Sequence, residues 1–180
     1  MHELLKALCD ESSELKQFLA EHGQLTLLRA AEDSSRKALV LSAASLFEHR
    51  ITSSLLSYAH RVSAADACVT ALVRNKAIKR QYHTYFDWDG RKCGPFYTLL
   101  GESLGPLLKD RCKTGGDKEC LDAFLEIGYQ RNCLVHQNYA EFVLDKSADD
   151  IRKLCELADQ FVCLVETILA PQPSAETSLP

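Results

Sequence analysis

The chain has 180 residues, with 21 Lys plus Arg against 25 Asp plus Glu, for a formal net charge of −4. Hydrophobic residues make up 46% and charged residues 26%, enough apolar material for one packed domain and too much for a disordered chain. The mild acidity excludes nucleic-acid binding through global charge and leaves only a local basic site.

No apolar run approaches the ~20 residues that span a bilayer. Met1–Cys9 is too short for a signal peptide and is followed at once by Asp10 and Glu11. A cytoplasmic location is therefore expected. The eight cysteines (9, 68, 93, 112, 120, 133, 155 and 163) include no CxxC pair. In a reducing compartment they read as small buried hydrophobes rather than metal ligands or disulfides.

In chain order the pattern is helical almost throughout. Leu4, Leu8, Leu15, Phe18 and Leu19 recur at helical spacing, and Gly23 offers a stop. A long helix is predicted from about Asp33 to Val62, capped by Asp33, Ser34 or Ser35. Its stripe runs through Leu39, Ala43, Leu46, Phe47, Ile51, Leu55, Tyr58 and Val62. Asp66 caps a third helix that ends near Arg80. Residues 81–116 are less regular, punctuated by glycine and proline, with short helical pieces at Phe96–Leu100 and Leu104–Lys109. Asp117 caps a helix running to His136. Phe142-Val143-Leu144 reads as a short extended piece. Ser147-Ala148-Asp149-Asp150 is a capping-box variant that opens the last helix. The stripe of that helix is the cleanest in the chain: Ile151, Leu154, Ala158, Phe161, Val162, Val165, Ile168 and Leu169. Pro171 and Pro173 end it. The expected fold is an all-α bundle of about five main helices with an irregular insertion around residues 81–116. One domain is expected over residues 1–170, with an extra N-terminal helix at 1–23 and a disordered tail at 171–180.

The informative segment is Tyr129-Gln130-Arg131-Asn132-Cys133-Leu134-Val135-His136. On a helix Asn132 and His136 share a face, one turn apart. Arg131 is offset by roughly 100°, but its side chain is long enough to swing over. A cation, an amide and an imidazole thus converge where a helix ends. That set suits a phosphate: Arg supplies a forked donor, and His moves a proton near neutral pH. With ten Arg and six His in the chain, a bare Arg-x4-His arises by chance about 0.3 times. Requiring Asn directly after Arg lowers the expectation to about 0.006.

Arg131-Asn132-x-x-x-His136 before a final amphipathic helix resembles the signature of the HEPN superfamily (higher eukaryotes and prokaryotes nucleotide-binding domains). There an Arg is followed after four to six residues by a His. Leu46-Phe47-Glu48 on the long early helix, and the segments Tyr82–Gly90 and Phe96–Gly101, are similar to the RiboL-PSP-like branch. The resemblance runs from about Asp33 to Leu169. It implies a helical bundle that forms a homodimer, with the two signatures meeting across the interface, and that acts on RNA as a metal-independent endoribonuclease without a cofactor. Many members serve in toxin–antitoxin, phage-defence or RNA-processing systems, which implies a possible antitoxin or regulatory partner. Others are catalytically silent and bind RNA, a nucleotide or a protein. Another branch carries a Tyr two residues after the His. Here that position is Asn138, so that branch's modifiable tyrosine does not transfer.

Physical chemistry supports the same reading. Metal-free RNA cleavage needs a base for the 2′-OH, an acid for the leaving 5′-oxygen and a cation for the crowded phosphorane. One His per chain does not easily supply both proton transfers, whereas a symmetric dimer brings two copies of His136 and Arg131 to one phosphate. His136 is assigned acid/base work, Arg131 charge stabilisation, and Asn132 orientation of the phosphate or the imidazole.

Glu48, counted with Arg131, Asn132 and His136 as a catalytic candidate, sits in a mostly apolar row with Leu41, Ala44, Ser45, Ile51, Thr52 and Leu55, so a half-buried carboxylate is expected there, with Arg131 or His136 as its partner. The alternative is an exposed or locally paired Glu. Arg74, Lys76, Lys79 and Arg80 form a local basic cluster suited to an RNA backbone. The aromatics that follow, Tyr82, Tyr85, Phe86 and Trp88, read as core before base-stacking surface. His2, His22, His49, His60 and His83 lack a metal-site pattern. A structural role for the signature predicts His136 buried and bonded to backbone, whereas an enzymatic role requires it exposed.

Overall fold

Gly23 makes the first reversal of the chain. Its φ of +67° is a left-handed conformation that glycine adopts without cost. Its N–H donates to the Ala20 carbonyl at 3.0 Å, and the Gln24 N–H donates to Leu19 at 2.9 Å, closing off the first helix. The computed structural model describes residues 1–171. The helices are α1 (Glu3–Glu21), α2 (Leu25–Val62), α3 (Ala67–Leu72), α4 (Gly94–Leu99), α5 (Gly101–Arg111), α6 (Gly115–His136) and α7 (Ala148–Leu169). The fold is all-α, as the periodicity predicts. The expected tail falls almost wholly at 172–180, outside the described residues.

Three boundaries differ from expectation. α2 starts at Leu25, not Asp33. Residues 25–32 are strong helix formers, and Asp33 turns its carboxylate to Lys37 and Arg36, at 2.8 and 3.3 Å, instead of capping. α3 is α-helical only to Leu72 and then widens into a π-helical turn at Val73–Ile78. The Lys79 N–H reaches back five residues to the Arg74 carbonyl at 2.8 Å. The turn puts Val73, Ala77 and Ile78 on the wall of an apolar cavity they share with Leu55, Tyr58 and Tyr85, and the Tyr85 hydroxyl donates to the Ala77 carbonyl at 2.7 Å. α6 begins at Gly115, so Asp117 lies in its first turn, paired with Arg111 at 2.7 Å. Phe142–Leu144 forms no strand, whereas the capping box Ser147–Asp150 forms as read.

α2, α6 and α7 make the core, and α1 lies along α2. α6 is buried over most of its middle, from Cys120 to Gly128. A helix covered on most sides is the centre of its bundle. Phe124 on α6 meets Phe47, Phe86, Trp88 and Phe161 with ring centroids 4.8–6.1 Å apart. Polar pins fix the rest. Arg36 donates to the Leu144 and Lys146 carbonyls at 3.0 and 2.9 Å. The buried Lys37 ammonium donates to the Tyr139 carbonyl at 3.1 Å. α2 thereby holds the connector that follows α6, which sets where His136 ends up.

The cysteines divide. Cys93, Cys112, Cys120 and Cys155 are buried, as expected of small hydrophobes. Cys68 and Cys163 are exposed, contrary to that reading: α3 buries only Thr70, and Cys163 lies off the apolar stripe of α7. Burial pushes the thiols of Cys93 and Cys155 up to about 12. In a thiol-reagent titration of the folded protein at pH 8, Cys68 and Cys163 should react first. Cys93 and Cys155 should stay silent until denaturant is added. Early labelling of Cys155, read by peptide mass spectrometry, would contradict this packing.

Candidate functional site

α6 brings two adjacent rows of side chains to one surface. Phe124, Gly128 and Asn132 follow i, i+4 spacing, and Ile127 and Arg131 run beside them. Ala44, Phe47 and Glu48 of α2 face them, and Arg80, Tyr82, His83 and Trp88 close the third side. Together they enclose a cavity of about 180 Å³. Its floor is apolar: Phe47, Trp88, Phe124 and Ile127 are buried. Its rim carries Glu48, Arg80, His83, Arg131 and Asn132.

The backbone explains this convergence. Gly128 lets the Trp88 ring lie directly on α6, since a Cβ there would stand 2.0 Å from the indole. The Asp87–Lys92 turn is held against α6 by Arg91, which pairs with Glu126 at 2.9 Å and covers the Tyr129 ring at 4.1 Å. Lys146 pairs with the same Glu126 at 3.2 Å, and Gln130 donates to it at 2.8 Å. These contacts fix the rotation of α6 next to Arg131. Arg80 has φ +61°, a left-handed backbone uncommon outside glycine. It reverses the chain out of the π turn and brings the following 3₁₀ turn, Tyr82–Thr84, onto the cavity. Gly128→Ala should lower stability by about 1–2 kcal/mol, the overpacking cost outweighing the helix-propensity gain. It should also shift Trp88 emission. An unchanged emission spectrum would mean the ring is not held by this contact.

Arg131 swings towards its neighbour as the sequence suggests, donating to Asn132 Oδ1 at 3.2 Å. His136 is the last residue of α6, at the negative end of the helix dipole. It is exposed, and its ring makes no hydrogen bond among the described residues. A structural role requires the opposite, burial and a backbone bond. His136 is not on the cavity wall. It lies one turn beyond Asn132 on the same helix face.

Glu48 is half-buried, as expected. It makes no ion pair within 4.0 Å among the described residues, so the direct contact with Arg131 or His136 is not present. Arg50, the local alternative, is engaged by Asp159 and Glu166 of α7. Glu48 still acts on Tyr82. Burial first, and the Glu48 carboxylate second, push that phenol well above its ordinary range, with Arg131 pulling the other way. Tyr82 is thus a protonated donor on the cavity wall.

Arg74, Lys76, Lys79 and Arg80 are all exposed and have no carboxylate partner within 4.0 Å among the described residues. Only Arg80 reaches the cavity. Tyr85, Phe86 and Trp88 are buried in the core, as expected for these rings. Sequence reasoning missed Tyr82, His83 and Trp88 as cavity residues. The available signal was Gly128, a glycine inside a helix one turn before the signature.

The chain matches RiboL-PSP-HEPN over residues 6–170. It belongs to the RiboL-PSP-HEPN family. The matched span takes in most of α1, whereas the resemblance in the sequence starts only at Asp33. No curated protein and no solved structure matches the chain. Family membership supports an RNA-related or nuclease-type HEPN module. Among the described residues no helix is long and apolar enough to cross a membrane.

Proposed function

We propose that this HEPN protein is a metal-independent endoribonuclease that cuts RNA at a composite site in a homodimer. The observation that carries the reading is the end of α6. Arg131 and Asn132 line a cavity there, and His136 stands free in solvent one turn on. In the proposed reaction neutral His136 takes the 2′-OH proton, and the 2′-oxygen forms a bond to phosphorus. The bond from phosphorus to the 5′-oxygen breaks. The partner's His136, as imidazolium, returns a proton to that oxygen. Arg131 neutralises the charge on the phosphorane, and Asn132 orients it. The products are a 2′,3′-cyclic phosphate and a 5′-hydroxyl. Arg74, Lys76 and Lys79 would grip the flanking backbone, and their exposure without a carboxylate partner among the described residues supports that role.

The test is RNA cleavage in EDTA, with product ends analysed. Wild-type cleavage leaving cyclic phosphates supports the reading. The absence of cleavage across diverse RNAs would replace it with a silent binding module.

A further inference from the structure

The cavity holds groups that the proposed cleavage does not use. Glu48 is half-buried with no cation within 4.0 Å among the described residues, so its two oxygens lack charged partners. A half-buried carboxylate without a partner is costly unless it accepts hydrogen bonds. Arg80 and His83 stand on the same rim, exposed and without hydrogen bonds among the described residues. Beneath them lie Phe47, Trp88 and Phe124. An inorganic anion would meet the cations but also the Glu48 charge. A ligand with an anionic end, a planar apolar body and N–H donors satisfies every wall.

Size narrows the choice. The cavity measures about 180 Å³. It falls short of the ~300 Å³ at which drug-sized pockets begin. One base fits that scale; a dinucleotide does not. Hydrogen-bond chemistry narrows it again. An ionised carboxylate is acceptor-only and takes two parallel donors best. Guanine presents two adjacent N–H donors, at N1 and N2. Adenine and cytosine offer one amino group each beside a ring acceptor that the carboxylate would repel. Uracil offers a single N–H between two carbonyls.

We infer that this cavity is a guanine-selective subsite for a nucleotide flanking the cut, with Glu48 accepting from the base and Arg80 and His83 holding its phosphate. The inference rests on the ribonuclease reading for its biological role, but its binding step can be measured alone. Glu48 then sets specificity, and Arg131 with His136 carries out the chemistry on the neighbouring phosphate.

Trp88 is the single tryptophan of the chain and lines the cavity, so its fluorescence reports occupancy directly. The full-length protein is titrated with 3′-GMP, 3′-AMP, 3′-CMP and 3′-UMP, with inorganic phosphate as a control. A saturable change is expected with 3′-GMP, at least about tenfold tighter than with the other three. Glu48→Gln should remove that preference, because an amide places a donor against one of the two N–H groups. Arg80→Ala should weaken all four nucleotides alike. Equal affinity for all four, a preference that survives Glu48→Gln, or no response to 3′-GMP through the millimolar range would overturn the inference. RNA cleavage is scored separately. Selective 3′-GMP binding in a protein that cuts no RNA keeps the subsite and removes the ribonuclease reading. Cleavage without any nucleotide preference at Trp88 does the reverse.

Discussion

His136→Ala is expected to reduce RNA cleavage by about 10²–10⁴-fold, the usual contribution of a positioned general acid or base. Its melting temperature should stay within about 2 °C of wild type, because the imidazole is exposed and makes no hydrogen bond among the described residues. Arg131→Ala should lose a comparable factor, about 10²–10³-fold, through lost stabilisation of the phosphorane. Its only side-chain hydrogen bond among the described residues, to the adjacent Asn132 at 3.2 Å, is a local one whose loss costs little stability. The pairing of outcomes matters more than either alone. A large activity loss with an unchanged melt separates chemistry from folding. A lowered melt with cleavage intact would instead give these side chains a structural role. Single-turnover cleavage in EDTA and differential scanning calorimetry on the same preparations read both quantities.

The second large effect concerns stability. Arg50 on α2 reaches two acids on α7. It pairs with Asp159, and it holds Glu166 bidentately at 2.9 and 2.6 Å. The hydrogen bond to Glu166 holds its guanidinium above even the ordinary arginine value. Its side chain and that of Asp159 are only 15% and 12% exposed. Removing one member of such a group leaves the others unpaired in low dielectric, which costs far more than the intact group contributes. Arg50→Met is therefore expected to destabilise the fold by about 3 kcal/mol. That is the lower end of the range, because Glu166 is a third exposed and the Met1 amino group remains 3.6 Å from Asp159. The midpoint should fall by about 6–12 °C for a chain of this length. A loss under about 1 kcal/mol in urea denaturation would mean that water already screens the cluster.

Residue by residue, legibility followed the range of the interaction. The α7 stripe could be read because one helix face against one core obeys a single period. The Gly23 stop and the Ser147–Asp150 capping box could be read because their partners are a few residues away. Asp33 misled for a related reason. A Ser, Thr, Asp or Asn before an apolar stripe signals a cap, yet here the strong helix formers upstream carry the helix past it. The π turn at Val73–Ile78 carries no local signature. It answers to contact with α2, which lies in another part of the chain, and to the Tyr85 hydroxyl that donates to the Ala77 carbonyl.

The candidate site divides in the same way. Arg131, Asn132 and His136 belong to one helix, so their spacing alone places them on neighbouring positions of one end. Glu48 stood out as a charge in an apolar row, and its half-burial follows from that row. Its lack of an ion pair does not, because the positions of Arg131 and Arg50 depend on how α2 meets α6 and α7. His83 looked like a surplus histidine and Trp88 like ordinary core. They share the cavity with Arg131 only because Arg80 reverses the chain and Gly128 lets the indole lie on α6. Helix content, the main apolar faces and the signature are local properties of periodicity and spacing, and they were present in the order of the residues. The cavity is made by three segments more than 30 residues apart, and no local pattern encodes a contact whose energy comes from closing the chain over that distance.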